Sequence, residues 1–150
     1  MADHVRTQIR NGFVTLLTGL ATTGARVYKA RVYPLESADP SGLLVFTHSE
    51  RVSVESLGAP RLYDRSVRVA VVAIAKATDS VAVDDQLDQI CKEVEVALAM
   101  PSTLDSIAKS ITLVSTQFEI RGGAEVPTGA ATMVYDVAYI TQETAPDVAL

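Results

Sequence analysis

The run "RSVRVAVVAIAKA", residues 65–77, does most to limit what this chain can fold into. Its alternating positions are apolar on both sides: Val67, Val69, Val71, Ala73 and Ala75 form one set, and Ala70, Val72 and Ile74 the other, between Arg68 and Lys76. A strand with one face in water shows a polar residue at every second position. A run that is apolar on both faces belongs in the middle of a sheet covered on both sides, by helices or by a neighbouring subunit.

Two stretches have the period of helices. Val5, Ile9, Phe13, Leu16, Leu17 and Leu20 recur at spacings of three and four, which predicts a helix over about 3–21 with Asp3 accepting the unpaired N–H groups of its first turn. Leu87, Ile90, Cys91, Val94 and Leu98 form a second stripe, with Asp84, Asp85 and Asp88 in its first half and Pro101 as its stop. Carboxylates near a helix N-terminus are stabilised by its partial positive charge, so these three acids need no functional explanation.

The remaining segments read as strands. Residues 26–34 are β-rich and end at Pro34; within them "ARVY" occurs twice with an odd offset, which sends the two copies to opposite faces. The side bearing Tyr28, Ala30 and Val32 is expected to pack on the core, and Lys29 and Arg31 to face outward. "LESADPSG" (35–42) is a loop, "LLVFTH" (43–48) a short strand, and Val52 and Val54 mark a further β-segment that runs into a long hairpin loop within 49–64. Thr112, Val114, Thr116, Phe118 and Ile120 predict one buried strand face, and Met133, Tyr135, Val137 and Tyr139 another. Residues 143–150 are expected to be a frayed tail.

The expected fold is a single α+β domain over 1–150, in the order α-β-β-β-β-α-β-β. Two helices pack on a mainly antiparallel sheet of about five to six strands. A chain of this size buries roughly 70% of the surface its unfolded form exposes, enough for one real core.

The sequence carries few of the patterns that catalysis or metal binding needs. His4, His48 and Cys91 supply no metal-ligand spacing, and no Gly-x-Ser-x-Gly turn is present. "RGGAEVPTG" (121–129) lies between two strands, so no helix N-terminus follows it to hold a phosphate. Asp84, Asp85 and Asp88 sit on a polar helix face rather than in a pocket that would shift their pKa. The single cysteine excludes an internal disulfide and reads as a buried thiol, and no stretch is apolar for long enough to span a bilayer. The expectation is no catalytic residue, no cofactor and no metal, and no membrane contact.

Charge is distributed unevenly. Residues 1–78 hold ten Lys/Arg against six Asp/Glu, a balance of +4, whereas residues 79–150 hold three against twelve, a balance of −9. Such asymmetry suits either a weak contact with nucleic acid or the packing of basic on acidic surfaces between copies. Arg26, Lys29, Arg31, Arg51, Arg61, Arg65 and Arg68 all come from the first β-segments. The acidic total and the absence of Trp argue against sequence-specific DNA binding.

One succession of segments carries a resemblance. Val32-Tyr33-Pro34-Leu35 ends a strand; Leu44, Val45, Phe46 and Thr47 form the next, followed by the acidic Glu50; a long loop then leads into Arg65, Val67, Val69 and Val71. This order, between an amphipathic helix and an acidic helix, resembles the tail-terminator family of long-tailed bacteriophages. It departs from the family's pattern where Ser41-Gly42 replaces Pro-Ala and Phe46 replaces Tyr. The resemblance implies a structural virion protein, assembled in the host cytoplasm into the tail and neck. Its copies would form a homo-hexameric ring on the head-proximal end of the tail tube, ending tube polymerisation and offering the head-joining surface. The implied partners are the chain itself, the tail tube protein and a head–tail connector or stopper protein, with non-specific DNA contact in the lumen left open.

Lys29, Arg31, Arg51, Arg61 and Arg65 are then candidates for contact with a neighbouring subunit, the tube or DNA, and Asp84, Asp85 and Asp88 for their acidic counterpart. The alternatives are another neck protein, such as a tail-completion or connector component, or a small ligand-binding domain or enzyme.

Overall fold

In the computed structural model of the chain, the apolar run lies within β3 (Leu62–Lys76), at the middle of the sheet. The structure describes residues 2–29, 41–76, 82–99, 104, 106–121 and 128–150. The sheet order is β1 (Val27–Tyr28), β2 (Ser41–Val54), β3, β5 (Thr128–Gln142), β4 (Ser110–Arg121), and β6 (Ala145–Ala149) pairs with β5. Every pairing is antiparallel except β1 with β2. With α1 (Val5–Leu17) and α2 (Val83–Ala99), the fold is the expected α+β class of two helices on a six-stranded, mainly antiparallel sheet.

Both helices lie on one face. Val5, Ile9, Phe13 and Leu17 from α1, and Val83, Leu87, Ile90, Cys91, Val94 and Leu98 from α2, join the core residues of β3 and β5 in one buried cluster. Phe13 meets Tyr135 edge to face, with ring centroids 5.9 Å apart. The second apolar set of β3 looks the other way, where Ala70 is aligned with Phe46 and Val134. Among the described residues no helix lies on that face.

Several boundaries differ from expectation, each for a local reason. His4, not Asp3, is the N-cap of α1: the fully buried Val5 opens the helix, and His4 Nδ1 accepts from the Arg6 N–H at 3.2 Å. The helix ends at Leu17, well before 21, because Gly19 turns the chain at φ +94°. In β1 the core side is Val27, aligned with Leu43, whereas Tyr28 is aligned with Leu44 on the opposite face, so the expected polarity is reversed. Residues 30–35, including Arg31 and Pro34, the loop up to residue 40, Pro101 and the turn at 122–127 lie outside the described residues.

Two bulges reset the phase of strands. β2 is one 14-residue strand rather than two short ones, with a bulge between Thr47 and Ser49. β4 has a bulge between Leu113 and Ser115, so its helix-side residues are Ile111 and Leu113 before it and Thr116, Phe118 and Ile120 after it, leaving Val114 exposed. The tail is not frayed: β6 takes up the edge of β5 at Thr141 and Gln142, beyond the last β4 pair at Ala138, and Asp147 O accepts from Gln8 Nε2 at 2.8 Å.

Candidate functional site

The bulge at His48 decides where the next acid points. Before it the odd residues Leu43 and Val45 face the helices; after it Glu50 is aligned with the buried Val67 and takes the helix side. There Glu50 meets three donors. Arg65 Nη1 donates to Oε1 at 2.8 Å, Arg6 Nη1 donates to the same oxygen at 3.0 Å, and the Tyr139 hydroxyl donates to Oε2.

Arg65 is held from a second direction, since its Nε donates to Thr141 Oγ1 at 2.9 Å and its guanidinium lies 5.4 Å from the Tyr63 ring centre. The Glu50 and Arg65 side chains are each only 10% exposed. Charges removed from water at this depth are tolerable only when paired and hydrogen-bonded, as these are. Burial, the hydrogen bond to Glu50 and the Glu50 charge raise the Tyr139 pKa. The pKa of His4 nearby is lowered, first by burial and then by Arg6. This hub joins the start of α1 to β2, β3 and β5 at the root of the β2–β3 hairpin.

A second tie lies at the other end of α1. Glu93 of α2 accepts from the Thr22 N–H at 2.8 Å and from Thr22 Oγ1 at 2.5 Å. Burial opposes the Glu93 charge, but these bonds and one from Gln89 outweigh it and lower the pKa. Arg26 is likewise committed internally, donating to Ser41 O and Thr22 O.

The basic candidates therefore do not gather into one patch. Arg65 is inside the hub, Lys29 is exposed with its Nζ donating to Asn11 Oδ1 at 3.0 Å, and Arg68 pairs with Asp136 on the helix-free face at 3.1 Å. Arg51 and Arg61 are exposed and make no side-chain hydrogen bond or ion pair among the described residues. Asp84, Asp85 and Asp88 are exposed on α2.

The two free arginines and the three aspartates lie toward opposite ends of the sheet. Arg51 is aligned with Ser66 and Arg61 precedes Leu62, where β3 begins. The first turn of α2 lies over Gly129, beside the other end of β3 at Lys76. Strands rise about 3.4 Å per residue, so β3 spans roughly 48 Å between them.

Some features had no signal in the sequence. Arg6 and Tyr139 were not singled out, although an arginine among the alternating valines of β3 requires a buried counter-charge. Phe118 and Ile120, expected on a buried strand face, are instead 54% and 46% exposed because β4 is an edge strand, and Val52 and Val54 on the hairpin and Leu57 at its tip, at 99%, are exposed as well. Among the described residues no three His, Cys, Asp or Glu side chains gather as a metal site would need.

No family model matches the chain, and no curated protein matches it. Among solved structures it is similar to a chain in the virion of a native gene transfer agent particle, at 14% identity and a TM-score of 0.39, over 90% of this chain and 92% of that one.

Proposed function

We propose that this protein is a phage tail terminator. In this reading its copies close into a hexameric ring on the head-proximal end of the tail tube, stop tube growth and present the surface to which the head joins. The observation that supports it is how the residues of the tail-terminator-like pattern work together. Glu50 from the second part of the pattern and Arg65 from the third pair at 2.8 Å, while Val45, Val67, Val69 and Val71 are buried on the same face of the sheet and Leu44 on the other. Two residues of the pattern, Glu50 and Arg65, thus help fasten the β2–β3 hairpin to the helix layer through Arg6.

A terminator works by contact rather than by bond-making. Its requirement is a rigid frame with surfaces left for partners: a second copy, the tube protein and a connector or stopper. The hub and the Glu93–Thr22 tie supply rigidity at both ends of α1. Leu57, Arg51 and Arg61 are available for contact.

Adding the purified protein to tail tube subunits during polymerisation tests this role. Elongation should stop and the tubes should be shorter as the protein concentration rises. Tube lengths that do not respond would overturn the proposal.

A further inference from the structure

The proposed role requires copies of the chain to meet, and two surfaces stand out for that contact. The β2–β3 hairpin presents Val52, Val54 and Leu57 to solvent, with Arg61 alternating to the same side as Tyr63 and Arg65, whereas Arg51, aligned with Ser66, points to the opposite face. At the opposite end of the sheet, β4 presents Phe118 and Ile120 on the side that bears α2. A Cβ placed on Gly129 would lie 2.9 Å from Ile120 Cδ1 and 2.5 Å from Val83 Cγ1, so Ile120 borders the first turn of α2. Asp84, Asp85 and Asp88 are exposed on that same stretch of helix.

Each surface is therefore apolar with a charged margin, and on the hairpin face that bears Val52 and Val54 the free charge is Arg61, opposite in sign to the aspartates. We infer that the hairpin of one copy docks on the α2–β4 end of the next, with Leu57 and Val54 against Phe118 and Ile120 and Arg61 toward the aspartates. This inference rests on the proposed self-assembly. Exposed aliphatic and aromatic side chains contribute the burial, while unlike charges select the partner surface and the register. Glu55 and Asp64 are also exposed on the hairpin, and Asp64 shares the opposite face with Arg51, so the arm is not basic as a whole and Arg61 acts locally.

Two unlike surfaces on one chain make a heterologous contact, which closes into a ring when the rotation between copies divides a full turn. β4 suits the docking role further. Among the described residues it pairs only with β5, and its other edge offers backbone N–H and C=O groups to an incoming segment.

Sedimentation velocity on the purified chain, over a range of concentrations, reads the contact directly. The native sequence should form a closed oligomer. Leu57→Asp, at a tip whose exposure leaves folding untouched, should weaken association by about tenfold or more. Arg61→Glu should do the same, and adding Asp85→Arg and Asp88→Arg should restore much of the loss. In a Cys91→Ala background, Leu57→Cys and Phe118→Cys on separate copies should form a disulfide between copies. A native chain that stays monomeric, or charge reversals without effect or rescue, would overturn the contact. Oligomers that depend on the hairpin yet never stop tube growth would leave the contact standing and remove the terminator role. Arrest of growth insensitive to all these variants would do the reverse.

Discussion

At Glu50 three donors from α1, β3 and β5 share one carboxylate, and at Arg68 a single ion pair sits in water. The two should respond very differently to mutation. Glu50→Gln leaves the Arg65 guanidinium buried without its counter-charge, and removing one partner of a buried pair costs about 3 kcal/mol or more. Arg68→Ala removes an exposed pair, worth less than about 1 kcal/mol. Urea denaturation of both variants compares them; equal, small losses would mean that the hub does not hold the fold.

Cys91 makes a second prediction at this scale. Burial, reinforced by the Glu95 and Asp88 carboxylates, pushes its thiol from 9.0 up to about 11. The native chain thus keeps a proton that the unfolded chain releases, so stability is whole below pH 9 and falls as the pH rises toward 11. Tyr135 and Tyr139, also raised chiefly by burial, steepen the decline above their ordinary value of 10.0. Denaturation at pH 8 and pH 10 should show that fall in the native chain and a shallower one in Cys91→Ala; identical slopes would contradict it.

Among elements, the helix stripes and the centre of the sheet were legible because their signals are periodic and redundant. Leu87, Ile90, Cys91, Val94 and Leu98 are all buried, as are Met133, Tyr135, Val137 and Tyr139. Bulges were not legible. One extra residue at His48 or Val114 inverts every later side chain without any change of composition, so Glu50 gained the helix side and Val114 lost it. Chain ends failed for a related reason: the weak apolar content of 145–149 does not announce a strand, yet the free edge of β5 beyond Ala138 accepts one.

The packing of α2 on β5 depends on a glycine. Any side chain at Gly129 meets Val83, Leu87 and Ile120, with Val83 Cγ1 only 2.5 Å from the new Cβ. Gly129→Ala should lower stability by about 1–3 kcal/mol through overpacking, seen as a lower melting temperature. An unchanged melting temperature would show that α2 can move away at no cost.

On the scale of the whole molecule, charge counted along the sequence misled where charge in space informs. The first half is basic in sequence, but Arg6, Arg26, Arg65 and Arg68 are held by partners within the chain. Arg51 and Arg61 stay free on the hairpin at one end, beside Glu55 and Asp64, and an acidic helix start lies at the other, separated by the length of β3. The candidate surface was half legible, since the charged residues were expected at the surface whereas Phe118 and Ile120 were expected to be buried. A solvent-exposed Leu57 or Phe118 cannot be told from a core residue by type alone. Such a two-ended molecule suits a component that works by joining copies and partners.

Electron microscopy of tail tubes mixed with the purified protein tests that role most directly. The expected result is a sixfold ring capping one end of each tube, and tubes with bare ends beside a persistent monomer would contradict it.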